Sequence, residues 1–432
     1  MTIRESSVAP GRQAVADSAK PRAEKVGVAQ NRGKPWLSEK VDTARAKLMG
    51  SQGKAVMDAV DRGIAELRLT PLSQLPPEAL RAFTERMPKI DLHRHLNGSI
   101  PLERLLSVAK ELGIMLPAND LEGLRPHVQI TTADRPTLPV YLSKFDVIGR
   151  VLKNPKVIEE LAASTVEDAA KDKLAHVEIR FAPQFMAAAH GLDMEDIVKA
   201  VCAGVRKGVD KTKTTARLII IIARQHGVDQ GAIVAKLAAK YKDFGVVAID
   251  LASASEVQFP PGPYAEAFEG ARLDALSATC HAGESAGPES IKSAIVDLKV
   301  PRVGHASRIL EDPEVVALTR KLRTVLECCP TANAQVGAIA SFGDHPIYAL
   351  LQLGVLVALC TDNPAISGIT LSKEFERLLT IFDQLTLGDV EQLIQNSVDG
   401  AFLTARERAQ LGKRVAKDLA AAEVRLLRDI GG

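Results

Sequence analysis

Aromatic side chains are scarce in this chain, at 4% of 432 residues. So thin a supply argues against a surface built to stack single-stranded bases. Charge of one sign is also missing, because 55 Lys and Arg nearly balance 53 Asp and Glu, for a net charge of +2. No strong field therefore points to nucleic acid or a membrane surface. No apolar run reaches the roughly 18 residues that a membrane span requires. The five cysteines, at positions 202, 280, 328, 329 and 360, contain no CxxC. A chain of this length does not need disulfides to hold a core, so the expectation is a reduced, cytoplasmic protein.

The first 35 residues have no hydrophobic period and scatter basic residues among Ser, Ala, Gly and Gln. This reads as a disordered, mildly basic arm. It lacks the apolar centre of a secretory signal, and Glu5, Asp17 and Glu24 interrupt any transit-peptide pattern. Met57, Val60, Ile64 and Leu67 recur at helical spacing, which predicts an amphipathic helix over 54–69. Residues 1–75 are thus expected to form an N-terminal extension, and residues 76–432 one catalytic domain.

From residue 88 the pattern becomes regular. Short runs rich in Val, Ile and Leu occur at 89–93, 176–182, 217–223, 246–251, 278–281, 302–305, 324–328 and 356–361. Helical patterns such as 155–172, 193–212 and 228–242 separate them. Strands alternating with helices imply βαβ crossovers and a parallel sheet. Eight such units predict an α/β fold, a (β/α)8 TIM barrel. Extra helices are expected in the long crossover after strand 1 and at the C-terminus. The rival, an open doubly wound sheet, lacks a Gly-rich phosphate loop after its first strand.

Barrel enzymes place their chemistry at the C-terminal ends of strands. Strand 1 ends in His93-Arg-His95, strand 5 in His281-Ala-Gly-Glu284, strand 6 in Gly304-His305, and strand 8 in Thr361-Asp362-Asn363. Spacing of two on a strand puts His93 and His95 on one face. Two imidazoles facing inward are poor core residues but good zinc ligands. With His281 and Asp362 they form a set that suits zinc and leaves a position for water. Taken singly, each residue has a plainer reading. Glu284 could be a solvated loop carboxylate, His305 a satisfied turn histidine, and Asp362 a helix cap. Beside a metal-activated water, Glu284 can instead pass a proton to substrate. Four strand ends meeting at one mouth favour a single site over four coincidences. His127, His176, His190, His226 and His345 are read as structural, and the cysteines in apolar strands as small buried hydrophobes.

The motifs Ile90-Asp-Leu-His-Arg-His-Leu-Asn-Gly-Ser99, Val177-Glu-Ile-Arg-Phe-Ala-Pro183, His281-Ala-Gly-Glu284, Gly304-His-Ala306, Cys329-Pro-Thr-Ala-Asn333 and Thr361-Asp-Asn-Pro364 resemble the adenosine deaminase family. Six short motifs in family order cover about residues 88–400. The resemblance implies a metal-dependent barrel of the amidohydrolase type, with one Zn2+ per chain, that hydrolyses the 6-amino group of a purine nucleoside. It implies His93, His95, His281 and Asp362 as zinc ligands and Glu284 as the group that protonates purine N1. It implies His305 as the histidine that orients the attacking hydroxide. Leu142 and Phe145 resemble the family's apolar lid over the purine.

Three positions depart from the commonest family pattern. Asn97 stands where many members have an Asp that accepts the ribose 5′-hydroxyl. A neutral amide there tolerates a 5′-phosphate, and the stretch resembles relatives acting on N6-methyl-AMP. Asn363 replaces a frequent Asp facing purine N7. Ser253 replaces a Gly whose N–H meets purine N3. The expected ligand is a small-molecule purine nucleoside or nucleotide, with no nucleic acid or membrane partner. Adenosine or deoxyadenosine leads, and another 6-aminopurine such as N6-methyl-AMP is the alternative. A binuclear site would need a bridging group at the end of strand 4, where Ile249–Ser253 holds no lysine. A catalytically inactive binding barrel is set aside because every group the chemistry needs is present. The zinc signature of cytidine-type deaminases is absent.

Overall fold

The apolar runs of the sequence become strands β1 (Lys89–His95), β2 (Leu174–Phe181), β3 (Thr215–Ala223), β4 (Val246–Ala252), β5 (Ser277–Ala282), β6 (Arg302–His305), β7 (Val325–Cys328) and β8 (Leu356–Leu359). The computed structural model describes residues 36–50 and 52–431, so the arm expected over residues 1–35 lies outside the described residues. Neighbouring strands pair in parallel in the order β1 to β8. Closure between β8 and β1 comes just past the end of β8. There His95 N donates to Asp362 O at 2.8 Å and Asp362 N donates to His93 O at 2.9 Å. The seam of the (β/α)8 barrel therefore lies directly beside the histidine pair.

Before β1 come helices α1 (Trp36–Leu48), α2 (Lys54–Leu67) and α3 (Pro77–Arg86). The long first crossover holds α4 (Leu102–Glu111), α5 (Leu121–Val128), α6 (Leu138–Ser143), α7 (Phe145–Gly149) and α8 (Pro155–Lys171). Strand β2 is followed by α9 (Pro183–His190) and α10 (Met194–Lys211), and β3 by α11 (Gly227–Lys240). Next come α12 (Ala265–Leu273), α13 (Pro288–Val296), α14 (Pro313–Leu322), α15 (Pro330–Gln335) and α16 (Ile347–Gln352). After β8, α17 (Pro364–Ser367), α18 (Leu371–Ile381), α19 (Leu387–Gly400) and α20 (Ala405–Gly431) complete the chain. The extra helices thus lie where the sequence predicts them.

The helix expected over 54–69 is α2. It and α1 bury Leu37, Val41, Ile64 and Leu67 and pack against α20. Arg45 of α1 pairs with the buried Glu423 of α20 at 2.7 Å. Among the described residues, no helix is long and apolar enough to cross a membrane.

Side chains alternate along each strand. Val177, Ile179, Ile220, Ile222, Ile249 and Leu251 are buried in the apolar core shared with the helices. The opposite set of positions carries charge in place of the usual branched apolar residues. Arg180 pairs with Asp250 and with Glu327, each at 2.8 Å, and Arg302 pairs with Glu327 and with Glu178, each at 2.6 Å. All five are buried. Desolvated charges are tolerated when they are paired and hydrogen-bonded, and this layer is the floor of the site.

Candidate active site

Four donor atoms meet above the charged layer. His95 Nε2 lies 3.3 Å from His93 Nε2 and 3.1 Å from His281 Nε2. Asp362 Oδ1 lies 3.3 Å from His93 Nε2 and 3.2 Å from His95 Nε2. Asp362 Oδ1 is buried and receives no aligned hydrogen bond. Donors about 2.0–2.1 Å from one zinc ion at tetrahedral angles are separated by about 3.3–3.4 Å. The cluster therefore fits zinc in donor type and in spacing. His305 also brings a ring atom within 4.8 Å of donors on His93, His281 and Asp362. The short approaches of His95 single out His95 as the closer member.

Buried carboxylates fix the outer edge of two of these rings. His93 Nδ1 lies 2.8 Å from Glu327 Oε2, and His281 Nδ1 lies 3.1 Å from Asp250 Oδ2. An acceptor at Nδ1 leaves Nε2 free as a metal donor. Burial lowers the His95 imidazole to about 4 and pulls His281 below its usual value, which favours the neutral ligand form. His93 differs. Burial and the Arg180 charge pull it down, but Asp362 and Glu327 carry it above the usual range.

Local backbone conformation serves the site. Ser253, His305 and Asp362 adopt φ of 76°, 67° and 63°. A left-handed residue that is not glycine is uncommon, and such strain clusters at functional sites. Gly304 lets β6 approach His93, since a Cβ there would meet His93 Cε1 at 2.9 Å.

The mouth opens into a cavity of about 670 Å³ lined by every sequence-predicted site residue except His93, which is fully buried beneath it. Leu142 of α6 and Phe145 of α7 stand at its rim, with Leu142 39% exposed. Asn97 follows β1, and its Oδ1 is buried with no hydrogen-bond partner among the described residues. Burial, the Asp362 charge and the Glu256 charge push the Glu284 carboxyl well above the usual range. Burial and the surrounding imidazoles push His305 well below its own. The Asn333 amide nitrogen joins the two, 3.0 Å from His305 Nδ1 and 3.4 Å from Glu284 Oε1.

Glu327, Asp250, Arg180, Asn333 and Glu256 join the site without having been expected from the strand-end motifs. Glu327 and Asp250 carry a usable signal, an ionisable residue at an inward position of an otherwise apolar strand, while Arg180 shares β2 with His176 and Glu178. Of the histidines read as structural, His345 Nδ1 accepts from Ile347 N at 3.0 Å and His176 lies 2.9 Å from Thr215 Oγ1. His190 is held by the Gly149 carbonyl at 2.7 Å and also lines the cavity wall. All five cysteines are free and buried.

The sequence profile described as Adenosine deaminase matches residues 88–418. The chain belongs to the adenosine deaminase family. An adenosine deaminase of Klebsiella pneumoniae (strain 342) is 39% identical over 336 residues, 77% of this chain and 98% of the relative. Among solved structures, an adenine deaminase from Arthrobacter aurescens superposes with a TM-score of 0.69 at 26% identity, over 77% of this chain and 98% of its own. An arabidopsis N6-mAMP deaminase superposes with a TM-score of 0.66 at 27% identity, over 76% and 97%. This deaminase-family chain is accordingly a zinc-dependent hydrolase acting on C–N bonds of 6-aminopurines.

Proposed function

We propose that the chain converts adenosine or deoxyadenosine, with water, into inosine or deoxyinosine and ammonia. The observation that carries this reading is one cavity in which Glu284 and His305 overlook the converging donors of His93, His95, His281 and Asp362. Bound there, zinc supplies an activated water at neutral pH. Glu284, whose carboxyl is held well above the usual range by burial and the neighbouring acids, donates its proton to purine N1 as the water oxygen adds to C6. The Asn333 amide donating to His305 Nδ1 places the ring proton on Nε2, where it steadies charge on that oxygen. One proton of that water restores Glu284, the C6–N6 bond breaks, and ammonia leaves with the water's other proton. The Asn363 amide donates to N7 and the Ser253 N–H to N3, while Leu142 and Phe145 cover the ring. Such a site binds the sp³ carbon better than the flat purine.

Asn97 supports a second reading, deamination of N6-methyl-AMP, because a neutral side chain at the 5′ end does not repel a phosphate. We also infer a cytoplasmic setting, in keeping with five free cysteines. Residues 1–75 are read as an extension without chemistry, in keeping with a cavity lining that, among the described residues, begins at His95. Incubating the zinc-loaded protein with adenosine, AMP, N6-methyl-AMP and adenine, and following the ultraviolet change, tests the assignment. Fast turnover of adenosine is expected. No turnover of adenosine alongside fast turnover of the methylated nucleotide would reverse the order of the two readings.

A further inference from the structure

Glu284 sits on a turn whose shape is set by a side chain from the neighbouring loop. Gly283 adopts φ 75°, a left-handed conformation. The turn directs the N–H groups of Gly283, Glu284 and Ser285 at one side chain. Successive amides arranged in this way form an anion-binding concavity. Its occupant is the carboxylate of Glu256, which comes from the loop after β4 and is 3% exposed. Glu256 Oε2 accepts from Gly283 N at 2.7 Å, and Oε1 accepts from Glu284 N at 3.0 Å and Ser285 N at 2.9 Å. Ser290 Oγ donates to Oε2 at 2.5 Å, and Ser285 Oγ lies 3.4 Å from Oε1. Glu256 N in turn donates to Ser285 Oγ at 3.1 Å, so the two loops are stapled in both directions.

The hydrogen-bond partners of the Glu256 carboxylate are three backbone N–H groups and two hydroxyls, all donors. Hydrogen bonds to an ionised acceptor are roughly twice as strong as neutral ones. The loop it anchors also carries Ser253, three residues earlier and on the cavity wall. A carboxylate placed here does more than close a turn. It holds the backbone of Glu284 in register with the Ser253 loop across the purine pocket.

We propose that Glu256 is the positioning residue for Glu284: its carboxylate fixes the Gly283–Ser285 turn and sets where the Glu284 carboxyl meets the purine. This rests on the reading of Glu284 as the proton donor. Glu256→Gln keeps the volume but turns an amide NH2 toward N–H groups whichever way it is rotated. Glu256→Asp keeps both oxygens and draws them back by one methylene.

Zinc content, thermal stability, kcat and KM are measured with whichever purine of the panel the wild-type protein turns over fastest. For Glu256→Gln the zinc content and KM stay near wild type, while kcat falls about 100-fold, the scale of an ångström-sized misplacement. Glu256→Asp falls between the two. Because Glu256 acts through Glu284, Glu256→Gln combined with Glu284→Gln is no slower than Glu284→Gln alone. A folded Glu256→Gln protein with wild-type kcat overturns the proposal, as does a loss of kcat that tracks loss of zinc. So does a further drop in the double variant. If Glu256→Gln does not fold, a wild-type kcat in Glu256→Asp overturns it. A wild-type protein inactive on every purine, or a fully active Glu284→Gln, counts instead against the proposed function.

Discussion

Replacing Glu327 by Gln separates support of the ligand from support of the barrel. The carboxylate accepts from four groups at once. His93 Nδ1 and Arg180 Nη2 lie 2.8 Å from Oε2, while Arg302 Nε at 2.6 Å and Thr279 Oγ1 at 3.0 Å reach Oε1. Gln keeps the volume and one oxygen but turns an NH2 toward either the His93–Arg180 side or the Arg302–Thr279 side. Breaking one partner of a buried ion pair costs about 3–5 kcal/mol, and the retained oxygen places the expected loss at the low end, on the order of 3 kcal/mol. Loss of an outer-shell partner lowers metal affinity about 10–100-fold, or about 1.4–2.8 kcal/mol. The assay is zinc titration against a competing fluorescent chelator, with thermal unfolding of the zinc-free and zinc-loaded protein in parallel. The expected result is a weakened zinc dissociation constant together with a lowered Tm. An unchanged zinc affinity in a protein whose Tm has fallen would refute the reasoning, because Glu327 would then brace Arg180 and Arg302 without orienting His93.

Glu284→Gln should retain zinc and lose about 10²–10⁴-fold in kcat, the usual scale for a positioned proton donor; steady-state turnover with metal analysis checks it. Asn97→Asp should leave adenosine turnover near wild type and lower kcat/KM for N6-methyl-AMP by at least about fivefold, since like charges about 4 Å apart repel by about 1–4 kcal/mol in water or near a protein surface. Equal effects on nucleoside and nucleotide would show that Asn97 does not face the 5′ position. Glu374 of α18 is buried and accepts from Thr331 N at 2.8 Å and Thr331 Oγ1 at 2.6 Å. Burial raises its carboxyl from 4.5 to about 7. The folded state therefore holds a proton that the unfolded state has released, and this contribution, on the order of 3 kcal/mol, is full below pH 4.5 and is lost as pH rises to about 7. Denaturant unfolding of Glu374→Gln at pH 5 and pH 8 should lack this downward component, and a slope equal to wild type would exclude Glu374 as its source.

The barrel was legible because strand and helix periods alternate plainly from residue 88 onward, and every predicted strand was found with ends shifted by a few residues. The histidine pair was legible because spacing of two on a strand fixes a common face. Other parts of the site depend on contacts that no local pattern encodes. Glu256 sits in a polar Ser-Ala-Ser-Glu stretch that reads as ordinary loop, and its meaning comes from a turn about 28 residues later. Glu327 reaches His93 across 234 positions. Ser253 holds left-handed backbone that its residue type does not advertise, whereas His305 and Asp362 are of types more often found there. Helix α1 has no local signal because its burial rests on α19 and α20, far along the chain, through contacts such as Leu37 N to Gln395 Oε1 and the Arg45–Glu423 pair.

The charged layer beneath the site follows from the needs of the histidines above it. A buried histidine that presents Nε2 upward is oriented by an acceptor at Nδ1, and for His93 and His281 that acceptor comes from another strand. Asp250 and Glu327 supply it, but two buried carboxylates close together repel unless a cation stands between them. Arg180 is that cation. Its guanidinium bonds Asp250 through Nη1, and through Nη2 it reaches both Glu327 and the Leu92 carbonyl beside His93. The planar fork of arginine reaches two carboxylates in a way the single ammonium of lysine does not. His93 and His281, on strands β1 and β5, are thereby oriented by two acids that share one base. The polar interior is thus the structural consequence of mounting histidines at the mouth, and the ordinary apolar filling of a barrel could not have held them.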